Sequence, residues 1–110
     1  MAEFVIKQFD TLPILSATLL DADDNAVNLA GATIRFIMRT PDDAVLINAP
    51  AVIVDAFNGK VQYAWQLNDT KFNGQYLGEF KVTFSDGSVE TWPNDVGGFT
   101  TQITKALRAS

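Results

Sequence analysis

The chain has 110 residues, the length of one domain, and is long enough to bury about two-thirds of its unfolded surface in a single core. It contains no cysteine and no histidine, which excludes disulfides, thiolate or imidazole metal sites, cysteine nucleophiles and every serine–histidine arrangement, so neither a cofactor nor a metal is expected. With 13 acidic against 8 basic residues the net charge is −5, and the basic groups are scattered, so a nucleic-acid partner is not expected either.

The first strand is predicted near the N-terminus, where Phe4, Ile6 and Gln8 alternate with Val5 and Lys7; lying at the start of the chain, it suits a sheet edge. Asp10, Thr11 and Pro13 mark a bend. The apolar stretch 12–20 that follows is interrupted by Pro13, Ser16 and Thr18 and is preceded by Glu3 and Asp10 where a signal peptide would be basic. It reads as a second strand with Leu15, Ala17 and Leu19 on one face and Ser16 and Thr18 on the other. No run approaches the ~20 apolar residues needed to cross a bilayer. The expectation is a soluble product made in a cytoplasm, with no membrane partner.

The strand stops at Asp21 in the turn-forming cluster DADDNA. Asp21, Asp23 and Asn25 have the spacing of a calcium loop, but Ala26 stands where glycine is required and Ala32 where a bidentate glutamate is required. An ordinary solvated turn is the better reading. Residues 32–39 form the third strand, with Ile34, Phe36 and Met38 opposite Arg35, Ile37 and Arg39, and the two arginines are expected on an outer face paired with carboxylates of neighbouring strands. The runs 45–47 and 52–54 are short and β-branched, and Pro50 between them suggests an edge or a crossing between sheets.

Asn58-Gly59 is a strong hairpin signal leading into residues 60–66, where Val61, Tyr63 and Trp65 share a face. Trp65 is predicted to anchor the core; its alternative is an exposed platform for sugar stacking. After the loop 67–73, residues 74–92 read as a β-hairpin: Tyr76, Gly78, Phe80, Val82 and Phe84 lie on one face, and Asp86-Gly87 makes the turn. Tyr76 stands where the tyrosine corner of immunoglobulin-like sandwiches places its phenol, and Gly78 takes the place of an antibody domain's second cysteine. Trp92 sits beside Pro93 at a strand end and is a candidate for an interface. Residues 93–98 form a joint, 99–104 a last strand and 105–110 a tail without a partner of its own.

This is the pattern of an all-β chain, an immunoglobulin-like antiparallel β-sandwich of about seven to nine strands. The division expected is a sandwich over 1–98, then a last strand and tail over 99–110 that dock on a partner. The candidate interface residues are Trp92, Phe99, Thr101, Ile103, Leu107 and Arg108. The carboxylates fall mostly in turns, among them Asp23, Asp24, Asp42, Asp43 and Asp86, and the serines lack a histidine base, so no catalytic residue is named and the chain is not expected to be an enzyme.

Ile6-Lys7-Gln8 with Asp10-Thr11 and Pro13, Val27-Asn28-Leu29 with Gly31-Ala32-Thr33-Ile34-Arg35-Phe36, and Met38-Arg39 form one half of a distributed pattern. Gly59, Val61, Tyr63, Trp65, Asp69-Thr70, Gly74-Gln75-Tyr76, Glu79-Phe80, Val82-Thr83-Phe84, Asp86-Gly87, Thr91 and Pro93 form the other. In these residues the chain resembles the N-terminal domain family of phage baseplate upper proteins, an immunoglobulin-like virion module. The resemblance implies a structural part of a bacteriophage particle, located in the virion after synthesis in the host, with other phage structural proteins as partners and multiple copies per particle. Because no linker or second domain follows in these 110 residues, a stand-alone role is expected: capsid decoration or cement, or an accessory at the tail or baseplate. The alternative is a carbohydrate-binding module built on Trp65, Trp92 and Tyr63, which requires at least two of them exposed on one face.

Overall fold

The computed structural model describes residues 3–21, 23–93 and 99–106. Among these residues the chain is all-β, with nine strands in two layers. The strands are β1 (Glu3–Lys7), β2 (Leu15–Thr18), β3 (Thr33–Arg39), β4 (Val45–Pro50), β5 (Val52–Asp55), β6 (Lys60–Tyr63), β7 (Gly74–Thr83), β8 (Val89–Trp92) and β9 (Phe99–Thr104). The larger sheet runs β1-β9-β7-β3-β4, with β8 also paired to β7, and the smaller runs β2-β6-β5. The expected immunoglobulin-like sandwich is thus present. One pair departs from the antiparallel expectation: β1 lies parallel to β9, from Glu3 opposite Thr100 to Lys7 opposite Thr104, and does occupy the sheet edge.

Period-two alternation decides which side chains meet between the layers. On β3, Ile34, Phe36 and Met38 point inward, and on β7 Tyr76, Phe80 and Val82 do the same; all are buried. Phe36 is the hub, with ring centroids of Tyr63 at 4.7 Å, Phe80 at 5.5 Å, Trp65 at 5.6 Å and Phe99 at 6.2 Å. These separations lie in the range where offset and edge-to-face aromatic pairs attract. Trp65 is 3% exposed and is the expected core anchor, although β6 itself ends two residues earlier at Tyr63.

Gly78 is required for a packing reason: a Cβ there would stand 2.6 Å from the Phe99 ring, so the glycine lets β9 bring its first aromatic over β7. Tyr76 forms the corner inferred from its position, its hydroxyl donating to the Phe72 carbonyl at 2.9 Å and so tying the incoming loop to the strand. The hairpin of β7 and β8 is as expected, closed by the Phe84 amide on the Ser88 carbonyl, with Gly87 at a φ of 90°.

Other expectations are modified. The second strand is shorter than residues 12–20, because Leu12 and Ile14 flank Pro13 in an exposed bend and Leu20 makes only an isolated bridge to Ala26. Asn58-Gly59 closes a four-residue connection instead of a two-residue one, since the Asp55 carboxylate binds the Asn58 side chain at 2.7 Å and Gly59, at a φ of 64°, packs on the Leu19 carbonyl. Arg39 meets the Glu79 carboxylate of the neighbouring β7 at 3.5 Å, as expected, and the Asp43 carboxylate of the following turn at the same distance. Arg35 instead donates to the Asn48 side chain and to its carbonyl, both at 2.7 Å.

Pro50 marks the crossing between sheets. β4 belongs to the larger sheet and β5 to the smaller, and Ala51 between them donates its amide to the Ile34 carbonyl at 3.0 Å. One flank of the sandwich is therefore sewn shut by a continuous chain.

Candidate docking surface

The opposite flank is built differently. Strands β8 and β9 lie end to end along one edge of β7, with Trp92 opposite Phe80 and Phe99 opposite Gly78. Facing them across the layers is β2, an edge strand whose only described neighbour is β6. Between the two runs an open groove of about 410 Å³. Its walls include Phe4, Leu15, Phe80, Trp92 and Phe99, and its far end is bordered by Asp21 and Asp24. The volume falls within the range of ligand pockets, about 300–1,000 Å³.

The residues singled out from the sequence as an interface lie in or beside this flank, but mostly face inward. Phe99, Thr101 and Ile103 alternate inward on β9 and are buried, and Trp92 is buried with its indole N–H donating to the Leu20 carbonyl at 3.0 Å. The physical reason is the position of β9: it is held between β1 and β7, so the segment 99–104 is an inner strand of the larger sheet. Leu107 and Arg108 lie outside the described residues. What sequence reasoning missed is the outward edge of β2, carrying Ser16 and Thr18, and the signal was weak: a polar face reads the same whether or not its strand has a neighbour.

The end of the sandwich beyond the groove is firmly tied. Gln8 donates from its side chain to the Lys71 carbonyl at 2.8 Å and accepts from the Ala106 amide at 3.2 Å, while the Thr70 hydroxyl donates to the Asp10 carbonyl at 2.8 Å. Asp69 gathers the loop by accepting from the Tyr63 hydroxyl at 2.5 Å and from the Gln66 amide at 2.8 Å. Burial pushes the Tyr63 phenol well above its ordinary range, and the adjoining Asp69 carboxylate, as hydrogen-bond acceptor and as a negative charge, pushes it further. Phe9, Leu12, Leu67 and Phe72 are exposed around these two loops.

Asp21 and Asp86 serve turns. Asp21 Oδ1 accepts from the Asp23 and Asn25 amides, both at 2.9 Å, so these residues turn back on the Asp21 carboxylate. Asp86 is held below its ordinary range first by the Ser88 hydroxyl and then by the Ser88 amide. No group of three or more acidic residues among the described ones is arranged to hold a metal ion, and no described helix is long and apolar enough to cross a membrane. The three aromatics on which a sugar platform would rest, Trp65, Trp92 and Tyr63, are all buried, so the exposed face that reading requires is not formed by them.

The profile of the BppU N-terminal domain family matches residues 10–107. A search among curated protein sequences finds no match. Among solved structures, that of CopC from Methylosinus trichosporium OB3b is similar with a TM-score of 0.56, covering 100% of this chain and 91% of that one at 12% sequence identity. At that identity the likeness is one of fold alone.

Proposed function

Because the chain belongs to the family of BppU N-terminal domains, structural domains of phage baseplate upper proteins, we propose that it is a virion component that works by docking on neighbouring proteins of the baseplate. The family match over residues 10–107 carries this reading. The fold is consistent with it: a sandwich whose aromatic core is self-contained offers partners edges, loops and a groove, and main-chain pairing along an edge supplies affinity without any reacting group. The role is structural, and copies on a symmetric particle form a ring through the particle's own symmetry.

The test is quantitative mass spectrometry of purified particles together with a cryo-EM map. The expected result is a fixed stoichiometry and sandwich-shaped density at the baseplate. Density on the capsid surface would transfer the role to head decoration, and absence of the protein from particles would end the proposal.

A further inference from the structure

We propose that the groove between β2 and strands β8 and β9 is a strand-acceptor site, filled by an extended segment of a neighbouring virion protein that pairs with the edge of β2 turned away from β6. The inference rests on the docking role proposed above and specifies its contact. The Leu19 amide donates to the Gly59 carbonyl at 2.8 Å, on the β6 side. Alternation along the strand then turns the main-chain groups of Ser16, Thr18 and Leu20 to the other side, toward the groove. The Trp92 indole, reaching across to the Leu20 carbonyl, agrees with that direction. Among the described residues no strand pairs with Ser16 or Thr18 on this side.

Unpaired edges are usually blunted by bulges, prolines or charges. Here β4 ends in Pro50 and pairs with β3 across a register shift, β5 has a register shift between Ile53 and Asp55, β1 carries Lys7 and β8 carries Glu90. Strand β2, LSAT, has none of these devices and pairs in regular register. An apolar trough beside an unprotected edge fits a strand, whose main chain bonds to the edge while alternate side chains enter the trough. From Ser16 to Thr18, short of the Leu20 carbonyl that Trp92 already holds, the edge spans about 7 Å at about 3.3 Å per residue, so the occupant pairs over about three residues.

Charge selects among occupants. Asp21 and Asp24 stand at the groove's end, and the chain as a whole carries −5, so a second copy brings like charge to the contact while a segment with a lysine or arginine flanking its apolar alternation brings the complement. The occupant is therefore an extended segment of a different protein, alternately apolar and basic at its flank.

The probe is a capped synthetic peptide, Lys-Val-Thr-Val-Thr-Val-Lys, titrated into the isotope-labelled protein, with amide exchange followed residue by residue. Exchange at Ser16 and Thr18 is expected to slow at least tenfold, and replacing both peptide lysines by glutamate is expected to weaken binding at least threefold. Unchanged exchange at these amides, equal binding of the two peptides, or protection that grows with protein concentration in the absence of peptide would each overturn the proposal, the last in favour of a self-pairing edge. A second arm uses particles. Thr18→Pro removes the outward amide, and Asp24→Lys reverses a charge on an exposed turn. Both variants, checked by thermal melting, are expected to be incorporated at least fivefold less than the wild type. Full incorporation of both would sink the groove and leave the docking role standing, whereas a wild-type protein missing from particles would sink that role itself.

Discussion

The two flanks of this sandwich solve the same problem in opposite ways. At the β4–β5 flank a single chain passes from one sheet to the other through Pro50 and Ala51, so the layers cannot part and the edges on that side are bulged. At the β2 flank no described strand crosses; the layers are held by aromatic packing and by the Trp92 bond to Leu20, and a groove remains. A covalent crossing makes a flank stable and closed. Packing alone leaves it stable but accessible, and an accessible flank is where a partner can be received.

Substitutions can separate what the flanks share from what each does alone. The largest loss is expected where both depend on one side chain: Phe36→Ala removes the hub of the aromatic cluster and should cost about 3–5 kcal/mol in denaturant unfolding. A smaller loss would show that the cluster repacks without it. Gly78→Ala acts on the open flank alone by driving a methyl into the Phe99 ring, and about 1–3 kcal/mol is expected. Its signature is loss of amide protection in β9 with β4 and β5 spared. Uniform loss of protection would mean that the flanks do not behave independently.

Tyr63→Phe removes the bond to Asp69 in the loop that ties the end of the sandwich, and a charge-assisted hydrogen bond of this kind is worth about 1.5–3 kcal/mol. The pH dependence has a definite sign. The folded phenol ionises above its unfolded value, so its contribution is fully present below the ordinary tyrosine range, about 10, and is lost as pH rises beyond it. Wild-type stability should fall with pH there, and the Phe variant should fall less steeply; parallel curves would exclude Tyr63 as the source. The smallest effect is at Asp86, in the exposed turn between β7 and β8. Its ionisation is favoured in the folded hairpin, so the contribution is present above the ordinary carboxylate range and fades as pH falls through it. Ser88→Ala should remove most of that dependence in an acid titration, and an unchanged acid limb would assign it to other carboxylates.

Much of this architecture could be read in one dimension because the information is local. Alternation placed Phe36, Phe80 and Trp65 inside, Asp86-Gly87 placed a turn, the spacing of Tyr76 placed the corner, and Pro50 marked an edge or a crossing between sheets. The interface residues were harder. Trp92 beside a proline and a C-terminal strand after a glycine joint look peripheral in sequence, yet β9 is an inner strand and Trp92 is buried against Leu20. Peripheral position in the chain carries no information about position in a sheet, because strand order is set by contacts between residues far apart.

The amino-acid order by itself determined the layer type, the identity of most core side chains and the turns, since period-two patterning and turn chemistry act over a few residues. Only the tertiary structure decided which edges are paired and which are free: that β9 lies between β1 and β7, that β8 and β9 share one edge of β7, and that the outer side of β2 faces an apolar groove bordered by Asp21 and Asp24. Those are consequences of long-range pairing, which no stretch of the chain encodes alone.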